Sequence, residues 1–512
     1  MVQIRTRWRK AAFSTLTLTL LILAGCAGAS EPPVVAQKGD AQLEEQILAT
    51  SDGSGQATQA WPERVRQTFP SEDGAVVIAI DAVVEAPPEP VPSAAVSPRR
   101  FTPEDAANVI VFLTKGGALY ADSADRPSAE RISGGIENAN ELLAAVSDQP
   151  DLFQGANRYT AQLARTLETL GERAKTAQPI AAFDPVLPAF RTESADGKTE
   201  AVSGGLLIDG RYFSLRIENG ALGGALYCTR LQEDPVALKL MQPYDLIYFN
   251  AGEEITGVSY AASLVLAQEI VSGIGAGDMT LGAATGVEYP ADALPGYYQF
   301  SFVRQVNGAA IGMDEAVLAE DVYNAGVPDE SFTSVWPYES LQVRVDAKGL
   351  LRVQWISPMT VMGILTERTA LLPLDEIVAC FGKLASVKGE YREQLGWQND
   401  SGGTASGIQT NVELIRLSLM RVESGGGFLL VPVWDFYGTQ ELLDQNGNPM
   451  SFAVTIPNSE YTEYGVKGEA EFTSSLQKPD EEIAYNRRIE RRTSLLTINA
   501  VDGTIVDRLM GY

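Results

Sequence analysis

The sequence predicts an α+β fold, with an N-terminal α+β domain followed by two modules that each combine a helix with an antiparallel sheet. Three observations predict it. Apolar residues recur at helical spacing in separate stretches, β-branched runs bounded by Gly, Asn and Asp turn pairs lie between them, and the strands come in hairpin-connected groups rather than alternating one by one with helices. In chain order we expect a lipoprotein signal peptide at 1–25, a flexible tether at 26–70, the α+β domain at 71–245, and the modules at 257–366 and 371–512.

The chain starts with Arg5, Arg7, Arg9 and Lys10, continues through an apolar run and reaches Leu23-Ala24-Gly25-Cys26. A basic start, a short apolar core and small residues before a cysteine make a secretory signal that resembles a lipobox, with diacylglyceryl attachment expected on the Cys26 thiol. The run from Ala11 to Ala24 is shorter than the roughly 20 residues a spanning helix needs. The expected membrane contact is therefore the lipid on Cys26, on the extracytoplasmic face of the cell membrane. Each buried CH₂ contributes about 0.8 kcal/mol, enough for two or three chains to anchor without polybasic help. Residues 27 to 70 are rich in Ala, Gly, Ser, Gln and Glu with little periodicity, a composition that reads as a tether.

Ala75 to Val84 is a β-branched run that ends in the Pro-rich stretch from Pro87 to Pro98, which predicts a strand and then an extended connector. Thr102 is placed to cap a helix reaching about Thr114, with Pro103 at the first helical position and Glu104 and Asp105 at its positive end. From Pro127 to Gln178 the period is helical, with Leu142, Leu143 and Val146 on one face and Leu163, Leu167 and Leu170 on another. Strands follow at 205–208, 212–217 and 224–229, divided by the turn pairs Asp209-Gly210 and Asn219-Gly220.

In the second half, Ser259 is placed to cap a helix to Gly273 with Ala262, Leu266 and Ile270 on one stripe. Strands run from Met279 to Tyr289 and from Tyr297 to Val306, and Leu341 to Val345 forms a hairpin with Leu350 to Ile356 across Asp346-Ala347-Lys348-Gly349. The order then restarts. Pro373 opens a helix bearing Ile377, Phe381 and Leu384, followed by strands from Val412 to Val422, Gly427 to Phe436 and Leu495 to Arg508. Pro432 lacks an amide hydrogen, which predicts an edge strand or a bulge there. The phrases Tyr298 to Gly308 and Val343 to Gly349 correspond to Leu429 to Phe436 and Leu496 to Asp507. On these residues, 257–512 resembles tandem PepSY-like repeats, and the whole chain resembles an uncharacterised family of lipoproteins of Gram-positive bacteria. The resemblance implies an envelope location and a binding or protease-modulating role, and it brings no active-site residues. The phrases themselves read as structural, with glycines in tight turns and Trp434 and Phe436 as core or sheet-face aromatics.

Without residues 1–25, 35 basic residues face 66 acidic ones, a net charge of −31. That excludes nucleic acid, which needs a basic footprint, and argues against a body that lies broadly on anionic lipid. The chain has no histidine, so Ser-His-Asp and Cys-His catalysis, His-ligated zinc and imidazole switches are out. Cys228, in an apolar strand run, and Cys380, in an apolar helix, read as buried free thiols, with a disulfide between them as the alternative. Asp444-Gln445-Asn446-Gly447-Asn448 has oxygens at alternate positions but no terminal bidentate Glu, and reads as a hairpin turn before a calcium loop. Ser475-Leu476-Gln477-Lys478 matches Ser-x-x-Lys by chance, since neither Ser-Asp-Asn nor Lys-Thr-Gly accompanies it. Arg487, Arg488, Arg491 and Arg492 form a basic cluster that pairs with Glu481, Glu482 and Glu490, an anionic partner such as teichoic acid being the alternative.

The functional expectation is a non-enzymatic, lipid-anchored extracytoplasmic binding or regulatory protein of the bacterial cell envelope that contacts another envelope protein. Its site residue is Cys26, for lipidation. No catalytic, cofactor-binding or metal-binding residue is singled out, and no cofactor is expected. The alternatives are a solute-binding lipoprotein of a transporter, which requires alternating β and α segments with parallel sheets, and a carboxylate-dependent hydrolase.

Overall fold

The computed structural model describes residues 42–51, 61–71, 73–87, 90–150, 156–193, 197–220, 223–230, 247–249, 251–289, 294–312, 338–385, 404–424, 427–448 and 494–506, all within one unit, Lys38–Tyr512. Two pieces of the expected tether are folded. Helix α1 (Gln42–Ser51) buries Leu43 and Ile47, one turn apart, among Met420, Val422 and Leu429. Strand β1 (Arg64–Pro70) pairs antiparallel with β2 (Val76–Glu85). The polar composition concealed an i, i+4 apolar pair in α1, and it concealed Trp61, which stands edge-on to Trp434 at 5.2 Å.

Strand β3 (Ser93–Pro98) occupies the expected connector. Helix α2 (Pro103–Leu113) begins with a full capping box: Thr102 Oγ1 accepts from Asp105 N at 3.1 Å, and Asp105 Oδ2 accepts from Thr102 N at 2.8 Å. Burial works to raise the Asp105 pKa, but hydrogen bonds from Thr102 and the charge of Arg99 hold it below its ordinary value. Helices α3 (Ala129–Asp148) and α4 (Ala156–Ala174) share a small core of Leu142, Val146, Tyr159 and Leu163. Strands β4 (Arg191–Thr192), β5 (Glu200–Ile208), β6 (Arg211–Gly220) and β7 (Gly223–Arg230) follow. Asp209 and Gly210 both have positive φ, 48° and 78°, as a two-residue hairpin turn with right-handed strand twist requires.

The next elements are β8 (Ile247–Phe249), α5 (Tyr260–Gly273), β9 (Met279–Glu288), β10 (Tyr297–Val306), β11 (Ala309–Ala310), β12 (Ser340–Asp346), β13 (Gly349–Ile356) and β14 (Met359–Thr366). The last are α6 (Leu374–Ala385), β15 (Gly407–Ser424), β16 (Gly427–Leu443), β17 (Leu496–Asn499) and β18 (Ile505–Val506). Ser259 holds the N-cap position of α5 without a side-chain cap bond, and the Glu254 carboxylate accepts from Tyr260 N at 2.9 Å in its place. The buried stripe of α5 is Ser263, Ala267, Ile270 and Val271, one position round from the expected line through Ala262. Both modules repeat a helix and a four-strand meander, β9-β10-β12-β13 and β15-β16-β17-β18. Their last hairpins open alike: Asp346 Oδ1 accepts from Lys348 N at 2.8 Å, Asn499 Oδ1 accepts from Val501 N at 2.9 Å, and Gly349 and Gly503 take positive φ.

Strand pairing crosses the segment boundaries expected from the sequence. A ten-stranded sheet, ordered β4-β5-β6-β7-β13-β12-β10-β9-β8 with β11 beside β10, joins the N-terminal strands to the first module through β7 and β13. An eight-stranded sheet, β1-β2-β15-β16-β17-β18 with β3 between β14 and β16, joins β1 to β3 with the second module. Among the described strands, β2 and β15 alone pair in parallel. Strand β16 is central, which corrects the edge expected from Pro432. Strand β15 flanks it on one side, while β3 (at Phe428 to Leu430) and then β17 (at Val433 to Phe436) flank it on the other. Pro432 falls where the outer neighbour changes. Its partner Leu419 directs its carbonyl outward to Gly312 N, so the pair exchanges no ladder bonds and the missing hydrogen costs nothing, while the Pro432 carbonyl accepts from Ala500 N at 3.0 Å. The bulge is on β15, between Val412 and Leu414.

Helices α2 and α5 cover one face of the ten-stranded sheet around Phe213, Leu226, Phe300, Val343 and Trp355. Helix α6 covers the other sheet, with Phe381 stacked on Phe436 at 4.1 Å. Cys228 lies buried in the first core and Cys380 half-buried in the second, both as free thiols. Between the sheets, the buried Glu339 carboxylate accepts from Arg304 Nε at 2.8 Å and Nη2 at 2.7 Å, and from Trp355 Nε1 and Met359 N at 3.2 Å each.

Gly438 opposes the β15 bulge, and a Cβ there would collide with the Asn411 carbonyl, whereas a Cβ on Gly273 would meet the partly exposed Phe112 ring. Gly438→Ala should therefore cost about 3 kcal/mol of unfolding free energy. Gly273→Ala should change it by less than about 1 kcal/mol, since the ring can swing into solvent and Ala favours helix. Urea denaturation measures both, and equal losses would contradict the difference between backbone and side-chain clashes. Burial pushes the Cys228 thiol up to about 12. In the unfolded chain it ionises above its ordinary 9.0, so its contribution is complete below that pH and lost as pH rises toward the folded value. The stability advantage of wild type over Cys228→Ala should shrink by about 1.4 kcal/mol per pH unit across that window; a constant advantage would mean the thiol is not held protonated.

Candidate functional site

Residues alternate between the two faces of a strand, so positions between the core residues of the ten-stranded sheet project from its other face. Two polar rows cross that face. In the first, Ser301, Gln342, Gln354, Tyr227 and Arg216 stand opposite one another on β10, β12, β13, β7 and β6. In the second, two residues along each strand, Thr285, Gln299, Arg344, Arg352, Thr229 and Ser214 do the same from β9 to β6. At about 4.8 Å between strands, each row spans roughly 20 Å.

Several members of the rows hold one another in place. Arg344 Nε donates to Gln299 Oε1 at 2.8 Å, and its guanidinium lies 5.4 Å from the centre of the Tyr297 ring. Arg216 is bound by Glu193 and Glu218, each at 2.7 Å, which outweighs the effect of burial and raises its pKa. Gln342 and Gln354 differ from these. They are 7% and 6% exposed, and the Oε1 atom of each is buried without a hydrogen-bond partner. A buried acceptor left in that condition costs about 1–3 kcal/mol.

Helix α3 borders the rows. Tyr212, at the start of β6, lies under Arg131 of that helix, with the ring centre 5.7 Å from the guanidinium carbon. Burial and the adjacent Asp122 raise its hydroxyl pKa. Asp122 Oδ2 accepts from Ser128 Oγ at 2.7 Å, and Ser128 caps α3. Gly205 is required there, because a Cβ would enter the Tyr212 ring. From the β12–β13 turn, Lys348 reaches Glu137 and Glu141 of α3, and these ion pairs raise its pKa against the opposing effect of burial. At the far end of α3 a cavity of about 400 Å³ is lined by Glu141, Asp148, Thr256, Glu288, Tyr289 and Leu294. Two of its carboxylates are already engaged, Glu141 with Lys348 and Glu288 with the Thr256 amide.

Cys26, Ser475 to Lys478 and the Arg487 to Arg492 cluster lie outside the described residues. Asp444 closes an Asx turn: its Oδ1 accepts from Asn446 N at 2.7 Å and Asn448 N at 2.8 Å. These bonds make a tight turn after β16, and with the bond from the Asn448 side chain they lower the Asp444 pKa; the strand that would complete the expected hairpin lies outside the described residues. Among the described residues no group of three potential metal-ligating acids or thiols comes together, and no helix is long and apolar enough to cross a membrane. Sequence reading quoted Gln299 and Arg344 inside the recurring phrases but passed over what they do. The available signal was period-two polarity within apolar strands, Gln299 and Ser301, Gln342 and Arg344, Arg352 and Gln354.

No family model matches the chain, and no curated protein matches it. Among solved structures, a crystal structure of an uncharacterized protein from Eubacterium rectale ATCC 33656 is similar over 80% of this chain and 92% of that one, with 12% identity and a TM-score of 0.34.

Proposed function

We propose that this chain is a non-enzymatic binding or regulatory protein of the bacterial cell envelope, lipid-anchored through Cys26 on the extracytoplasmic face, whose polar rows receive a segment of another envelope protein. The observation that carries this reading is the Gln342 and Gln354 pair, two opposed amides with buried acceptors that cost stability where apolar residues would not. A polypeptide backbone supplies donors and acceptors to the half-buried members of the rows beside the pair, Arg216, Tyr227, Gln299 and Arg344. Tyr227 and Arg344 flank the pair with hydroxyl and guanidinium donors. The repeated helix-and-meander modules, which resemble PepSY-like repeats, support a binding role, and the net charge keeps the body soluble.

A second reading, a solute-binding lipoprotein, is favoured by the cavity beside α3, whose volume falls in the small-molecule range. It is weakened by the sheets, which are antiparallel except at β2 and β15.

Two measurements test the proposal. Cys26→Ser should abolish metabolic labelling by radioactive fatty acid and move the protein from the membrane to the soluble fraction; unchanged membrane association would remove the anchor. For the face, a photo-cross-linking residue at Tyr227 should capture a discrete envelope protein in intact cells. The double variant Gln342→Leu, Gln354→Leu should reduce that capture about tenfold while gaining about 1–2 kcal/mol in urea denaturation. A double variant that loses stability and still cross-links would assign the glutamines to folding and end the proposal for this face.

A further inference from the structure

We infer that the edge of the eight-stranded sheet formed by α1 and β14 faces the lipid bilayer to which the chain is anchored. This rests on the lipid-anchored reading above. Three observations converge on that edge. Helix α1 begins at Gln42, so residues 27–41 alone separate it from Cys26, and a fully extended chain of that length reaches roughly 55 Å. A tether running to residue 70 would reach roughly 150 Å and leave the body free to tumble. Burial of Leu43 and Ile47 shortens that reach to about a third, because it fixes α1 against β14 and β15.

The same edge exposes apolar side chains: Leu48 on α1 is 44% exposed, and Met362 and Ile364 on β14 are 66% and 39% exposed. Side chains exposed in this way suit the boundary between headgroups and acyl chains.

Charge supplies the third observation. The chain has 66 acidic residues, yet from Met359 to Thr366 there is no charged residue at all. Along β14 itself no side chain adds to the repulsion expected between this acidic body and anionic lipid. The charges near the strip include Glu44 and Glu45 on α1, Glu367 and Arg368 just beyond β14, and Glu339 and Arg99 at its Met359 end. Among the described strands, β14 pairs with β3 on one side and with nothing on the other. Its free backbone groups need water or headgroups, so the strand lies at the interface and side chains alone reach inward.

The test uses the full lipidated chain in phosphatidylcholine vesicles, with Cys380→Ala to remove the half-buried thiol and Cys228 kept because it is buried. An environment-sensitive fluorophore is placed at Met362→Cys, or at Leu187→Cys, which is 72% exposed and outside this edge. Lipids carrying a quencher in the upper acyl region should quench the label at 362 at least about threefold more than at 187, with a blue-shifted emission. Equal quenching at the two positions, in a chain that floats with the vesicles, would overturn the orientation and leave the anchor standing. A chain that does not float with vesicles would overturn the anchor, and the orientation with it.

Discussion

The buried Glu339 carboxylate is the point on which the joining of the two sheets depends. Arg304 and Trp355, which donate to it, belong to β10 and β13 of the ten-stranded sheet, while Met359 N, which also donates, begins β14 of the other. Taking a carboxylate out of water costs several kcal/mol unless it is paired and its lone pairs are filled, and here a bidentate guanidinium and two further N–H donors do both. The chain passes from β13 to β14 through Ser357, a non-glycine residue held at a φ of 49°. That left-handed conformation is tolerated because both flanking strands are fixed, one by its sheet and the other by the bond from Met359 N to Glu339. Arg421 of β15 lies near the same carboxylate. Burial lowers its pKa to about 10, partly offset by Glu339, so it stays charged at neutral pH.

Local signals were legible and long-range ones were not. Thr102, Pro103 and Asp105 are sufficient to start α2, and Asp209-Gly210 to turn a hairpin, because each acts through bonds or torsions within a few residues. No such signal states that β7 should pair with β13, or that β2 should lie parallel to β15. Pairing between distant strands is decided by which apolar faces close a common core, and the alternation of one strand fits many partners. The reading of Pro432 as an edge failed for the same reason. Its missing hydrogen was correctly noted, but only the change of neighbour from β3 to β17 shows why that hydrogen is not needed.

Tethering was misread because composition was averaged over too long a window. In Gln42 to Ser51 four apolar side chains stand among polar ones, and two of them, Leu43 and Ile47, fall on one helical face. An isolated helix of that length is marginal in water, so α1 exists because the sheet beneath it supplies the other half of the contact. The candidate face was missed by the opposite error. Strands β10, β12 and β13 were read for their apolar residues, which build the core, and the polar residues between them were passed over. Burial of Gln342 and Gln354 shows that those positions matter.

A sheet buried on both faces ordinarily fills both with apolar residues, because every buried amide that is not matched subtracts from a stability of only a few kcal/mol. The ten-stranded sheet does so on one face, where Tyr298, Phe300, Val343, Val353 and Trp355 meet α2 and α5. On the other it carries eleven polar positions in two ordered rows. Random loss of apolar character would scatter such residues along the strands. Their alignment across five and six strands instead makes a continuous strip of donors and acceptors at the strand spacing, a pattern that core packing does not require and that an extended polar partner can use. On the proposed reading, the stability forgone at Gln342 and Gln354 is a consequence of binding rather than a defect of folding, as expected where local consistency gives way at a functional face.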